Sequence, residues 1–211
     1  MKDGATIWKH NTPVDCSWYW RQLNAIKVQM RGWYNQGRYM LTQTGKYSIT
    51  SSYLALIGQQ PRMRTAELAW TSMALPKHRF ITWLAVQGRL LTQERKLKLH
   101  IQVEDTDCCL CDKKVMETTI HLFVKCEWAQ AIWKEVEKWT GIALQINGIK
   151  QTLERIRLKH WKKVKKETIA ATCGAIVYHI WRARNWKKFK GKSVHIKEAA
   201  TQIKKEIIER L

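Results

Sequence analysis

Four residues in the middle of the chain have the types and the spacing that one metal ion needs. They follow the pattern Cys-x2-Cys-x9-His-x4-Cys and are Cys108, Cys111, His121 and Cys126. The two-residue gap lets both thiolates reach one ion from a tight turn, and the four-residue gap returns His121 and Cys126 from one turn of a following helix. Three thiolates and an imidazole suit Zn²⁺ and leave no open coordination position, which is typical of a structural site. We therefore expect one structural zinc ion.

Cys109 leaves the identity of the first ligand open, because it lies next to Cys108 and could replace it. A chelate from Cys109 to Cys111 would have a one-residue gap, which is less usual. We therefore assign Cys108 as the ligand and expect Cys109 to be a packing residue. Cys173, in an Ala-rich apolar stretch, is expected to be a buried small hydrophobe.

The sequence lacks the groups of carboxylates that a catalytic metal site needs. A polymerase needs paired aspartates to hold Mg²⁺, and the sequence has no Asp-Asp pair. Nor is there a spread of carboxylates that could build a two-metal nuclease or ribonuclease H site. His121 is the only histidine predicted to bind a metal, since the others, among them His78 and His179, have no ligands near them in the sequence. We expect no catalytic residues and no enzyme activity.

The charge of the chain predicts a polyanionic partner. Lys and Arg number 38 against 17 Asp and Glu, for a formal net charge of +21, and 18 of these cations but only five of the acids lie from Lys150 onward. An excess of this size favours binding to nucleic acid or to an anionic surface. No apolar run is long enough to span a membrane, and the N-terminus has no apolar signal segment. We expect an intracellular protein, nuclear or cytoplasmic, that is not secreted.

Two basic runs in the last third of the chain, Arg155–Lys166 and Arg182–Lys192, have aromatic residues among them. Lys and Arg neutralise phosphates and aromatic rings stack on bases, which is the usual chemistry of binding to single strands and looped RNA. We expect both runs to form one continuous face. The predicted nucleic-acid-binding residues are Arg155, Arg157, Lys159, Trp161, Lys162, Lys163, Lys165, Lys166, Arg182, Arg184, Trp186, Lys187, Lys188 and Lys190.

Apolar periodicity predicts a mostly α-helical fold with a zinc-knuckle-like site and little β-structure. Turn residues allow one short hairpin near residues 33–50. A long helix is expected over about 167–189, and a last helix after Ser193 with an apolar side from Ile196 to Leu211. The predicted segments, packed as one unit, are an N-terminal helix and turn-rich part (1–64), a zinc-binding helical core (65–141) and a basic helical region (142–211). Four tryptophans on apolar stripes should be in the core, namely Trp70, Trp83, Trp133 and Trp139.

Several motifs in order resemble one family, the zinc-binding region that follows the reverse transcriptase of plant LINE-type retrotransposons. Residues 15–20 resemble its "SWxW" entry, and residues 45–53 are similar to "GxFSxxSxY". Trp70 with residues 76–83 is similar to "W…PxKxxxFxW", and residues 90–92 match "LxT". Residues 108–133 match "CxxC…ETxxHLFxxCxxAxxxW", and residues 178–185 are similar to "YxIWxxRN". The resemblance covers nearly the whole chain.

The resemblance implies the same four zinc ligands and a task in nucleic-acid engagement beside a polymerase during target-primed reverse transcription. The expected partners are RNA or DNA, and a reverse transcriptase or another protein, with no membrane. The leading prediction is a non-catalytic, zinc-stabilised nucleic-acid-binding module. The rival prediction is a domesticated protein-interaction scaffold that docks a partner through its apolar helices. Whether DNA or RNA is bound stays open at this point.

Overall fold

The structure is a computed structural model that describes residue 13 and residues 15–58, 63–144 and 147–210. The chain divides into two compact units, residues 1–61 and residues 62–211. Helices dominate both, and the strands within the described ranges form one two-stranded hairpin. The prediction of a mostly helical fold with little β-structure is confirmed. The predicted division into segments 1–64, 65–141 and 142–211 stays a prediction. The second and third of these segments both lie within the second unit.

The first unit contains short elements joined by capped turns. They are α1 (Trp18–Met30), a 3₁₀ turn (Arg31–Trp33), β1 (Tyr34–Asn35), β2 (Arg38–Tyr39) and α2 (Ile49–Ile57). Gln36 and Gly37 between the strands both have positive φ, 47° and 79°, as a tight two-residue hairpin turn requires. The hairpin lies inside the predicted window. Ser17 and Ser48 cap α1 and α2, because each hydroxyl accepts a hydrogen bond from a first-turn N–H.

The second unit is an assembly of helices. In order they are α3 (Ala66–Ala69), α4 (Pro76–Val86), α5 (Gln93–Lys98), a π-helical turn (His121–Lys125), α6 (Glu127–Thr140), α7 (Ile149–Leu158), α8 (Lys163–Lys190) and α9 (Ile196–Ile208). The predicted long helix is α8, which begins four residues earlier than expected. The last helix begins after His195 and not at Ser193. Helix α7 was not predicted.

Helix α8 forms the centre of this unit. Its middle section, from Ile169 to Ala183, is almost entirely buried, because α3, α4, α6, α7 and α9 all pack against it. Gly174 lies where α4 comes close, and a Cβ there would be 3.1 Å from Thr82 Oγ1. The absence of a side chain at Gly174 therefore permits the close approach of α4 and α8. Cys173 is buried as predicted.

The predicted core tryptophans behave differently from one another. Trp133 is buried and donates its indole N–H to the Phe123 carbonyl at 2.9 Å. Trp139 is partly buried against the core. Trp83 is partly buried, with its ring centre 6.3 Å from that of Trp70 and 6.5 Å from that of Phe80. Trp70 was predicted to be in the core and is not, since it is 46% exposed at the end of the short helix α3.

Of the helices in the ranges that the structure describes, none combines the length and the apolar composition that a membrane span needs.

Candidate functional site

The first two predicted zinc ligands lie at a short hairpin-like turn. Asp107 and Met116 form an antiparallel bridge, and the Cys108 amide donates to the Val115 carbonyl at 2.9 Å. The bridge closes the loop that contains Cys111. Both thiols therefore face the same side of a tight turn, as the two-residue gap predicts.

The other two ligands come from the π-helical turn that begins at His121. The amide of Cys126 donates to the His121 carbonyl at 2.7 Å, five residues back. In an α-helix, residues five apart point about 140° away from each other, whereas the wider π turn keeps His121 and Cys126 on one side. The sequence predicted one helical turn here but not its π geometry. Single π turns of this kind are frequent at functional sites.

The four side chains fit a tetrahedral zinc ion. Their ligand atoms all lie within 4.8 Å of one another. Cys108 Sγ is 3.9 Å from Cys126 Sγ, and Cys111 Sγ is 3.4 Å from His121 Nε2. With Zn–S bonds of about 2.3 Å and Zn–N bonds of about 2.05 Å, a tetrahedron has S···S edges of about 3.8 Å and S···N edges of about 3.6 Å. The donor set and both distances agree with zinc.

The electrostatics of the cluster favour a thiolate at Cys126. A hydrogen bond from the Cys108 thiol lowers the pKa of Cys126 and raises the pKa of Cys108, and burial raises the pKa of Cys111. Cys126 also lies at the N-terminal end of α6, where unpaired amide groups stabilise an anion. Burial lowers the pKa of His121, so its imidazole is neutral and can be a ligand. A bound zinc ion would hold the thiols deprotonated and fix the turn against the π turn.

Cys109 does not join the cluster. Its Sγ donates toward the Arg184 carbonyl of α8, 3.7 Å away, and so points away from the three other sulfurs. The structure brings Cys108 into the ligand set instead. Cys109 contributes to the packing between the metal turn and α8.

Arg184, predicted to contact nucleic acid, is buried. Its guanidinium donates from Nε to Glu117 Oε2 at 2.9 Å and from Nη2 to Glu117 Oε1 at 2.7 Å, and both side chains are 1% exposed. Glu117 Oε1 also accepts the amide of Gln93 at 3.1 Å. The prediction for Arg184 was wrong, because the side chain clamps the segment after the metal turn to α8 and has no free surface for a phosphate.

The two basic runs lie at opposite ends of α8. The first run ends in the first turn of the helix and the second occupies its last turns. From Lys166 to Arg182 the helix rises by about 24 Å, and the section between them is covered by other helices. The expected single continuous face is therefore not formed along α8.

The first run surrounds Trp161, in the connection between α7 and α8. On one side, a cavity of about 520 Å³ is lined by Arg155, Lys159 and Trp161 together with apolar residues. On the other side, a cavity of about 350 Å³ is lined by Trp161, Arg157, Lys163, Lys166 and Arg64, with Glu67 and Glu167. Lys165 Nζ lies 5.0 Å from the centre of the Trp161 ring. We call this region the Trp161 corner: residues 155–166 and the two cavities.

The second run is engaged in contacts within the protein. Trp186 has the Arg182 guanidinium 4.4 Å and the Lys192 ammonium 5.0 Å from its ring centre. Lys188 lies 3.9 Å from an Asp105 carboxylate oxygen. Trp186 is therefore less available for a base than Trp161.

A second cluster of ligand-type residues, which the sequence analysis did not find, lies between α4, α8 and α9. It consists of His78, His179 and Glu206, all buried, with ligand atoms within 4.8 Å of one another. Burial lowers the pKa of His78 to about 4 and also lowers the pKa of His179. Burial alone would raise the pKa of Glu206, but hydrogen bonds from Lys77 and His179 outweigh it and lower that pKa to about 2. The three residues are far apart in the sequence, so no local spacing could reveal them.

Comparison with known proteins agrees with the metal site. A family model described as zinc-binding in reverse transcriptase matches residues 47–133, which include all four ligands. No curated protein and no solved structure matches the chain. The prediction of a bound zinc ion is confirmed, while the origin in a plant LINE-type element stays a prediction. Residues 47–133 of the chain are therefore similar to the zinc-binding domains of reverse transcriptases.

Proposed function

We propose that the chain is a non-catalytic nucleic-acid-binding module in which zinc stabilises the fold and the Trp161 corner binds single-stranded RNA or DNA. The observation that carries this proposal is the position of Trp161 between two concave surfaces lined by cations. A base can stack on an indole ring while phosphates of the same strand lie against Lys and Arg. The net charge of +21 supports the same class of partner.

The charges of the Trp161 corner are placed where a strand could reach them. Lys162, Lys163 and Lys165 are exposed, and the Lys163 side chain is 87% exposed although it lies 3.8 Å from Glu167. Lys166 is held in place, since its ammonium donates to the Arg157 carbonyl at 2.8 Å. Lys165 covers the Trp161 ring, and a stacked base would displace it, which exchanges one cation–π contact for a stacking contact.

The zinc ion has a structural role in this proposal. Four protein ligands complete a tetrahedral shell, so no position is left for a water or a substrate. Within the described residues, the groups that could hold a metal ion are the Cys3His cluster and the cluster of His78, His179 and Glu206. Neither brings together the several carboxylates that a two-metal polymerase or nuclease site needs.

The rival scaffold function loses its best candidate surface. It required the apolar side of the last helix, but Ala199, Ala200, Ile203 and Ile207 of α9 are buried against the second unit's core. Leu211 lies outside the described residues. An apolar surface formed by these side chains is therefore not available to a partner while α9 stays packed.

Charge reversal at the corner tests the proposal. Affinity for labelled single-stranded RNA and DNA, and for duplexes of the same sequence, is measured as a function of salt. Replacing Lys162, Lys163, Lys165 and Lys166 with Glu should weaken single-strand binding and reduce the salt slope by about 3, since each lost phosphate contact on a single strand removes about 0.7.

A matched control variant distinguishes the position of the reversed charges from the change in net charge. Lys134, Lys138, Lys197 and Lys205 are exposed on α6 and α9, and their reversal to Glu changes the net charge equally. The proposal is rejected if both sets weaken binding alike, or if the wild-type protein does not bind any of the four nucleic acids. Stronger binding of RNA than of DNA, or the reverse, identifies the natural class.

Trp161→Ala separates stacking from charge. Loss of one stacked base should cost about 1–3 kcal/mol of binding free energy with no change in the salt slope. Trp161→Phe should retain most of the binding free energy that stacking contributes.

Primer extension and cleavage assays with Mg²⁺ or Mn²⁺ test the absence of catalysis. Activity that co-purifies with the chain and disappears in its point variants would contradict that part.

A further inference from the structure

The cluster between α4, α8 and α9 joins three helices at one carboxylate oxygen. Glu206 Oε2 lies 3.0 Å from His78 Nε2 and 2.9 Å from His179 Nε2. The three residues are among the most buried polar groups, at 0% exposure for His78, 1% for His179 and 6% for Glu206. Glu206 Oε1, the other oxygen, accepts hydrogen bonds from Lys77 at 2.8 Å and Gln202 at 3.3 Å. Oε2 therefore faces only the two imidazoles among the hydrogen-bond partners that the described residues offer.

The orientation of His78 does not suit a hydrogen bond to this oxygen. Its Nε2 is close enough to Oε2, but neither Nε2 nor Nδ1 has a hydrogen-bond partner among the described residues. A fully buried imidazole with two unpaired nitrogens is costly, because each lost its hydrogen bonds to water. A metal ion bound among His78, His179 and Glu206 would give the Nε2 atom of His78 the partner that it lacks.

We propose that His78, His179 and Glu206 form a second metal site, which binds one divalent transition-metal ion and is independent of the Cys3His zinc site. Two imidazoles and one carboxylate form a donor set that Zn²⁺, Co²⁺, Ni²⁺ and Fe²⁺ accept and that Mg²⁺ and Ca²⁺ disfavour. With ligand bonds of about 2.1 Å at right angles, neighbouring ligand atoms are about 3.0 Å apart, close to the two measured distances.

The neighbouring groups agree with this assignment. Both histidines are neutral at neutral pH because burial lowers their pKa values, and neutral imidazoles are the form that binds metals. Glu206 is ionised, and Lys77 and Gln202 fix its orientation from the Oε1 side, as outer hydrogen bonds usually do for a ligating carboxylate. Lys77 also opposes a bound cation, but its side chain is 43% exposed and its charge is partly screened.

The bound ion would connect three helices far apart in the sequence. His78 belongs to the first turn of α4, His179 to the buried middle of α8, and Glu206 to the last turn of α9. One ion would therefore hold α9 against the rest of the second unit. Its role is structural, because the site is enclosed and does not adjoin the Trp161 corner.

Cobalt titration of the whole chain tests the proposal, because the two sites give different absorption spectra. Metal-free protein prepared under reducing conditions should bind about two Co²⁺ per chain at saturation. The Cys3His site adds strong sulfur-to-cobalt charge-transfer bands in the near ultraviolet. The second equivalent should add only weak visible bands, since it has nitrogen and oxygen ligands.

His179→Gln distinguishes a metal ligand from a hydrogen-bonded core histidine. The glutamine amide can still donate to Glu206 Oε2, so a purely structural contact is retained, whereas a metal ligand is lost. Stoichiometry should fall from about two to about one per chain, with the charge-transfer bands unchanged. His160→Gln, at an exposed histidine, is the matched control and should keep both equivalents. Circular dichroism verifies that the variants are folded.

Two results of the cobalt titration would overturn the proposal. Saturation of the wild-type chain at one equivalent overturns the proposal without the use of any variant. Two equivalents in both the wild type and His179→Gln would mean that the second ion binds elsewhere, which also overturns it.

Discussion

Replacing Arg184 with methionine tests the clamp between the zinc-binding segment and α8. The substitution leaves Glu117, which is 0% exposed, without two charge-assisted hydrogen bonds of 2.9 and 2.7 Å. The amide of Gln93 still donates to it, but one neutral donor does not compensate a buried carboxylate. Breaking a buried ion pair on one side costs about 3–5 kcal/mol of unfolding free energy. With a urea slope of about 2 kcal/mol per molar, the unfolding midpoint should fall by about 2 M.

The assay is urea unfolding of the zinc-saturated protein, followed by far-UV circular dichroism. Glu117→Gln combined with Arg184→Met should lose less than the sum of the single variants, since neither charge is then left alone. Lys98→Met is the control; it breaks an exposed pair with Glu94 at 2.6 Å and should cost less than about 1 kcal/mol. The reasoning is refuted if Arg184→Met costs no more than the control. A reduced salt slope for nucleic-acid binding by the folded variant would show that Arg184 contacts phosphate after all.

Three further predictions concern the metal and two glycines. Cys108→Ser should lose the ion of the Cys3His site and unfold more easily, whereas Cys109→Ser should retain it, as elemental analysis and thermal melting of both variants will show. Gly141 ends α6 with φ of +66°, and a Cβ added there would meet no described atom within 4 Å. Gly141→Ala should therefore lower the free energy of unfolding in urea by about 1–2 kcal/mol through backbone strain alone, and Gly141→Asn should lower it less. Gly174→Val should cost about 1–3 kcal/mol in the same assay because of the contact with Thr82, and an unchanged midpoint would mean that α4 and α8 adjust freely.

The sequence was most informative where the interacting residues are close together in it. The four zinc ligands lie within one short segment, and both metal type and ligand spacing are local properties, so they could be read directly. The prediction for Arg184 was wrong for the opposite reason. It lies in a run of cations that looks solvated, and its partner Glu117 is 67 positions earlier in the chain. Only the packing of α8 against that segment shows that this arginine is buried.

Two other differences have distinct physical causes. Helix α7 was not predicted, although it has an apolar stripe: Ile149, Leu153 and Ile156 are spaced four and three residues apart and are all buried. That signal was present in the sequence. The cluster of His78 and His179 had no such signal, since tertiary packing alone brings the two residues to Glu206.

The ion pair between Glu117 and Arg184 also has a consequence for how the molecule comes apart. The region of family similarity ends at Trp133, inside α6, whereas Arg184 lies far beyond it. A fragment cut at the limits of that similarity would divide a helix and leave Glu117 as an uncompensated buried charge. The cooperative folding unit is therefore larger than the region of family similarity, residues 47–133. Amide hydrogen exchange in the C-terminal half of α8 should accordingly slow down when zinc binds to the cysteine cluster, even though no residue of that helix is a ligand.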